Sequence, residues 1–316
     1  MKKEAIVLLN MGGPNNLNEV EVFLKNMFND KNIITVKSSL LRKFIATMIT
    51  FTRTESSQQI YEQLGGKSPL VDHTKKLVQK LQQRLPQNVI VDFAMRYTPP
   101  FASQVVERLN EHKVDKIYLI PLYPQFSTTT TKSSLEDFEE QYHLHGENAL
   151  LTETKHFFQN TKYNEGILFN IDQAMKDSIY EEYELIFSAH GLPQKIVDAG
   201  DVYQKHVIRH VDILKEMLAK KKMNFSSVNI AYQSKVGPMQ WLTPSLDEKL
   251  EEFKGKKVLI FPIAFTIDNS ETDFELEIEY REIAQEIGLS DYKVARCPND
   301  SELFVEALIE IYENMR

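Results

Sequence analysis

Short apolar runs of four or five residues alternate with amphipathic helical patterns from one end of this chain to the other, and no other feature restricts its fold as much. The runs are Ala5–Leu9, Val89–Phe93, Lys116–Ile120, Ala149–Thr152, Leu185–Ser188, Val228–Tyr232, Val258–Phe261 and Tyr292–Ala295. Between them the apolar spacing predicts helices such as Leu17–Phe28, Val71–Arg84, Ser103–His112, Ser134–His143, Gln204–Ala219 and Thr272–Ile287. Strands joined by helices of that length form βαβ units and a parallel sheet, so the fold class is α/β.

The landmarks occur twice and in the same order. The first strand runs into Asn10-Met11-Gly12-Gly13-Pro14, and a later one runs into Ser188-Ala189-His190-Gly191-Leu192-Pro193. A polar loop closed by proline follows in each half, Met95-Arg96-Tyr97-Thr98-Pro99 and then Gln233-Ser234-Lys235-Val236-Gly237-Pro238. Each half then has a strand ending in proline and an aromatic, at Pro121-Leu122-Tyr123 and at Pro262-Ile263-Ala264-Phe265. Two similar Rossmann-like lobes are expected, over residues 1–160 and 161–316, with the last helix packing back on the first lobe. Ligand crevices of open α/β sheets lie at the carboxyl ends of the strands, which places the expected site in a cleft between the lobes.

Composition removes several classes of function. A formal charge of −8 is wrong for a nucleic-acid binder, which needs a basic face. One cysteine, Cys297, excludes an internal disulfide framework and an all-cysteine iron–sulfur cluster within the chain. No signal-peptide pattern opens the sequence, and no apolar run reaches the roughly 20 residues that span a bilayer, so a cytoplasmic protein is expected. Residues 31–54 break the acidic average with Lys31, Lys37, Arg42, Lys43 and Arg53 and no acid. Within them Leu40, Leu41, Phe44, Ile45, Met48 and Ile49 recur at helical spacing. Such a helix either packs on its own domain or forms a lip that covers a substrate or lies on an anionic membrane surface.

His190 stands where a strand must stop, because Gly191 and Pro193 cannot continue the ladder. A histidine there is either a packed loop residue or a group that binds metal and exchanges protons. Glu271, Glu275 and Glu279 are spaced four apart after another strand end, with Asp268 just before them. On a helix they share one face, either as an ordinary solvated stripe or as a ladder for cations and protons facing His190. Arg96 and Lys235 offer cationic ends for carboxylates, Ser127 opens a hydroxyl-rich run, and Met11, Tyr97, Tyr123, Phe126 and Trp241 add flat apolar surface. An aromatic rim with cationic ends suits a large flat molecule bearing carboxylates. The pairs His206/His210 and His143/His145 read as surface groups, and the loop Asn10–Pro14 lacks the glycine spacing of a phosphate cradle.

With these motifs in this order, the chain resembles the ferrochelatase family, which inserts Fe²⁺ into a porphyrin. The resemblance spans essentially the whole length and includes Gly65-Gly66-Lys67-Ser68-Pro69 and Tyr123-Pro124-Gln125-Phe126-Ser127. It implies a lyase of haem biosynthesis acting on protoporphyrin IX, with no cofactor beyond the Fe²⁺ substrate and no [2Fe–2S] cluster. The alternatives are a chelatase for coproporphyrin III or another tetrapyrrole, and a non-catalytic tetrapyrrole carrier. By the same resemblance His190 and Glu271 flank the porphyrin centre as catalytic and metal-contacting groups, and Glu275, Glu279 and Asp268 form the relay. Met11, Arg96, Tyr97, Tyr123, Ser127, Lys235 and Trp241 line the porphyrin wall. The segment Leu40–Ile49 falls at the family's lip, in some members a membrane contact. One departure stands out, since the family often has histidine where this chain has Asn269, which cannot titrate.

Overall fold

A parallel sheet is covered by helices on both faces, so its central strands are apolar along their length rather than alternating. The two central strands of this protein follow that rule in their middles, Ala5–Leu9 and Leu185–Phe187, while the buried Glu184 and Ser188 of the second are held by hydrogen bonds. A computed structural model describes residues 2–235, 237 and 239–316, so Val236 and Pro238 of the second polar loop lie outside the described residues. Among the described residues the chain forms two compact units. Unit 1 comprises Met1–His156 with Leu308–Arg316, and unit 2 comprises Phe157–Ala307.

Unit 1 holds β1 (Glu4–Asn10), β2 (Val89–Met95), β3 (Lys116–Pro121) and β4 (Leu150–Glu153), all parallel in the order β2-β1-β3-β4. Every residue of β1 is buried. Its core packs Val7, Leu9, Ala94 and Leu119 against Val105 and Val106 of helix Ala102–Glu111 and Phe138 of helix Ser133–His145. Unit 2 repeats the plan with β5 (Tyr183–His190), β6 (Ser227–Gln233), β7 (Lys257–Pro262) and β8 (Asp291–Val294), in the order β6-β5-β7-β8. Here Ile186, Ala231, Val258 and Ile260 pack on Leu276, Tyr280 and Ala284. The strand order reverses between β1 and β3 in one unit and between β5 and β7 in the other. Those switch points are where doubly wound sheets open a crevice at their carboxyl ends.

The expected strands are present, and the helices differ in instructive ways. From Ser39 onward the basic segment belongs to a helix that runs to Gln63 and turns only Ala46, Thr50 and Tyr61 into the core, while Lys31 and Lys37 precede it. Leu40, Phe44 and Phe51 on its other side are 81%, 63% and 84% exposed, so packing on its own domain does not cover that face. The segment after β7 is not one α-helix but a π-helix, Glu271–Glu279, that passes into the α-helix Tyr280–Ile287. A shorter π-helix, Thr128–Lys132, follows β3 at the matching place in unit 1 and leads into Ser133–His145. The turn after β1 depends on Gly12, which has φ +88° and would place a Cβ 2.3 Å from Thr98 Oγ1. No described helix is long and apolar enough to cross a membrane.

One expected surface residue is in the core. His210 is fully buried on helix Tyr203–Lys220, stacked on Tyr163 with Nε2 2.7 Å from Asn164 Oδ1. Its helix turns Val207, His210, Val211 and Leu214 inward, a stripe in which histidine replaces an apolar residue. Burial pushes its pKa down to about 3. The unfolded chain takes up this proton near pH 6.5 and the folded protein does not, so stability falls as pH drops from about 6.5 towards 3. His210→Gln should remove up to one proton's worth of that slope, about 1.4 kcal/mol per pH unit, in urea unfolding followed from pH 7 to pH 4.

Candidate functional site

In unit 1 the loop after β1 and the loop after β2 are tied together by backbone bonds, Arg96 N to the Asn10 carbonyl (2.8 Å) and Tyr97 N to the Met11 carbonyl (2.9 Å). Met11, Arg96 and Tyr97 therefore share one edge of the sheet, and Tyr123 follows β3 beside them. The side chains are organised by a residue that local sequence gives no reason to choose. Asp30 has a fully buried side chain, and its Oδ2 accepts from the Tyr97 hydroxyl (2.8 Å) and the Ser133 hydroxyl and pairs with Arg96 Nη2 (3.3 Å). Its Oδ1 accepts the Asn32 amide (2.7 Å). Arg96 also donates to Ser133 Oγ (3.1 Å) and pairs with Asp137 (3.2 Å), while its guanidinium carbon lies 5.2 Å from the Tyr97 ring centre.

Much of the donor capacity expected for a carboxylated ligand is thus engaged within the unit. The Tyr97 ring is itself buried, packed edge-on against Phe23 with centroids 6.2 Å apart. Burial, with the Asp30 charge, holds the Tyr97 phenol well above its usual pKa, and burial does the same for Tyr123, whose hydroxyl pairs with Ser134 Oγ (3.1 Å). Ser127 is buried and caps the short π-helix, accepting from Thr129 N (3.2 Å), so its hydroxyl is turned into the chain. A cavity of about 340 Å³ opens beside the cluster, lined by Asn26, Asn29, Asp30, Arg96, Asp137 and Gln141 among others. That polar lining lacks the broad apolar walls a flat macrocycle requires.

In unit 2, His190 ends β5. Its Nδ1 lies 2.7 Å from the Gly191 carbonyl, which can only accept, so Nδ1 carries the hydrogen. The Nε2 lone pair then remains to take a proton or a metal ion. The loop behind it is tight. Leu242 N donates to the Leu192 carbonyl and Gln194 N to the Gln240 carbonyl, which lays Trp241 against Gly191. A Cβ on Gly191 would sit 2.8 Å from the Gln233 carbonyl and 3.3 Å from the indole. Lys235 is exposed in the loop after β6.

After β7, Asn269 is buried and its Oδ1 accepts the Glu271 amide (2.8 Å) at the start of the π-helix. An i→i+5 turn is wider than an α-turn, and residues four and five apart share a face. Glu271 and Glu275 therefore lie along one side, half-buried, and Glu279 is exposed at the far end. Burial raises the Glu275 pKa, hydrogen bonds from Ser234 and Gln233 and the charge of His190 lower it, and Glu271 raises it. The charges of His190 and Glu271 thus both reach the Glu275 carboxyl. Asp268 does not share that side. It is buried and accepts from Cys297 N (3.1 Å) and Asn299 Nδ2 (2.7 Å), which fastens the loop after β8 instead of facing His190. Among the described residues no three His, Cys, Asp or Glu side chains are grouped as a resident metal site.

Known proteins extend these observations to the whole chain. The family model described as Ferrochelatase matches residues 3–316. A ferrochelatase of Sulfurimonas denitrificans is 68% identical over 316 residues, covering 100% of both chains. One from Nitratiruptor sp. is 56% identical over 312 residues, covering 99% of this chain and 100% of its own. Among solved structures, SirB from Bacillus subtilis with Fe³⁺ superposes with a TM-score of 0.59 at 12% identity, over 99% of this chain and 96% of that one. CbiX, described as the terminal enzyme for biosynthesis of siroheme in denitrifying bacteria, gives 0.54 at 10% identity over 100% of both. The two structures show a common fold of paired parallel sheets.

Asp30→Ala would leave the partly buried Arg96 facing Asp137 alone and would strip partners from Tyr97 and Ser133. Removing one member of a buried ion pair costs about 3–5 kcal/mol, and urea unfolding should show a loss of that order.

Proposed function

The chain belongs to the ferrochelatase family, and from that premise we propose that it inserts Fe²⁺ into protoporphyrin IX, releasing two protons and forming protohaem. The observation that carries this reading is that His190, whose Nδ1–H is committed to the Gly191 carbonyl, and Glu271 and Glu275 lie at or beyond the carboxyl ends of neighbouring strands, with the charges of His190 and Glu271 both acting on Glu275.

Insertion requires two pyrrole N–H protons to leave and water to be stripped from the metal. The pyrrole nitrogens of a flat macrocycle point inward, so a metal approaching from above meets poorly aligned lone pairs. Bending the macrocycle turns the lone pairs outward at about 1–5 kcal/mol, offset by contacts remote from the metal. Met11, Tyr97, Tyr123 and Trp241 supply apolar contact for the macrocycle. Arg96 and Lys235 supply positive charge for its propionates. His190 Nε2 accepts a pyrrole proton, Glu271 accepts the second or guides the metal, and Glu275 and Glu279 carry charge towards solvent. The bonds of Asp268 support a different role for it, as an anchor of the loop after β8. Asn269 takes the place of the family's frequent histidine as a cap for the Glu271 amide, which leaves the proton route to the glutamates. The exposed apolar face of Ser39–Gln63, with Lys37 and Lys43 beside it, supports peripheral contact with an anionic membrane surface.

The test is anaerobic mixing of the protein with Fe²⁺ and protoporphyrin IX, with coproporphyrin III in parallel, followed by loss of free-porphyrin fluorescence. Protoporphyrin should be consumed faster. His190→Ala should slow insertion by about 10²–10⁴-fold while porphyrin binding, read by fluorescence titration, is retained. Near-normal turnover of that variant would overturn the assignment of His190. Binding of both porphyrins without insertion would favour the carrier reading.

A further inference from the structure

Two polar side chains at the carboxyl edge of unit 2 have no part in the mechanism above. Gln233 ends β6 directly opposite His190 in the strand register and is 1% exposed. Its amide orientation is fixed from behind, because the buried Ser188 hydroxyl donates to Oε1 (2.7 Å). Nε2 must then point the other way, where it donates to Glu275 Oε2 (3.0 Å) and reaches the Glu271 carbonyl (3.3 Å). Ser234 follows, and its hydroxyl donates to the same Glu275 oxygen (2.6 Å).

Ser234 makes that bond from an uncomfortable backbone. Its φ is +66°, in the left-handed region that a residue with a Cβ enters at a cost. A glycine would hold this conformation more easily and would have no hydroxyl to offer. Two consecutive residues of one strand end therefore converge on a single carboxylate oxygen, one through an amide locked by Ser188 and one through a strained turn. Both donors are neutral, so they orient the carboxylate without the charge pairing that a lysine or arginine would impose.

We propose that Gln233 and Ser234 are positioning residues for metal insertion, fixing the orientation of the Glu275 carboxylate at the strand edge where β5 ends in His190. This assignment rests on the chelatase reading above.

Ser234→Gly removes the donor and relieves the backbone at once, so it tests the two effects against each other. The variant should melt no lower than the parent protein, while kcat for Fe²⁺ insertion falls about tenfold and the KM for porphyrin stays within about twofold. Ser234→Asn accepts positive φ and carries a side-chain N–H, and it should recover most of the lost kcat. Unchanged kcat in Ser234→Gly, with normal insertion by the parent protein, would overturn the proposal. So would a loss in Ser234→Asn equal to that in Ser234→Gly, since the donor would then be irrelevant. Failure of the parent protein itself to insert metal would instead refute the chelatase reading.

Discussion

A parallel strand covered on both faces takes a polar side chain along its length only where partners satisfy it, as Lys256 and Ser227 do for Glu184 and Gln233 for Ser188. β1 and β5 are under that constraint in their middles. Their interiors, Ala5–Leu9 and Leu185–Phe187, are almost completely buried and wholly apolar. Polar chemistry is pushed to the carboxyl ends, where Asn10 and His190 are the last residues of their strands. Because each sheet reverses its strand order beside that central strand, the loops after β1 and β3, and those after β5 and β7, open at the same edge.

The two units solve the same topological problem and then differ in what they place at that edge. Unit 1 gathers Arg96, Tyr97 and Ser133 around the buried Asp30, a satisfied network that rigidifies a wall. Unit 2 places a histidine and two glutamates there, with Gln233 and Ser234 donating to Glu275 from the side. The π-helix serves that purpose. Its wider turn keeps Glu271 and Glu275 on one side, and Asn269 caps its first amide. A histidine at position 269 would have to replace a bond from Asn269 Oδ1 that begins the helix. The substitution is therefore a trade of a titratable group for a helix cap.

The central strands were legible because a strand buried on both faces leaves an apolar run, and the edge strands β4 and β8, only partly buried, because they recur at the same place in each repeat. That β5 ends at His190 follows from Gly191 and Pro193 beyond it. What could not be read depended on partners far away in the chain. Nothing near Asp30 announces that it will organise Arg96 and Tyr97, more than sixty residues on. His206 and His210 look alike in a helical pattern, and only packing on Tyr163 and Asn164 decides that the second is a core residue. Asp268 precedes the acidic ladder and shares its charge, yet its oxygens are claimed by the Cys297 amide and Asn299. The π-helix was hidden for another reason. Glutamates four apart fit an α-turn and a π-turn about equally well, so periodicity does not separate the two.

The bond from His190 Nδ1 to the Gly191 carbonyl has a consequence for the ease of proton transfer. A histidine that must change its hydrogen-bond partner on protonation has to rotate or recruit water, and that rearrangement adds to the barrier. In His190 the Nδ1–H donates to a carbonyl that can only accept, so the reaction proposed above asks for no new partner at that nitrogen and no movement of the ring. The Tyr203 hydroxyl bonds the His190 carbonyl (2.9 Å) and steadies the backbone beneath it. The imidazole is thereby held in one orientation, with the partner on its far nitrogen already in place.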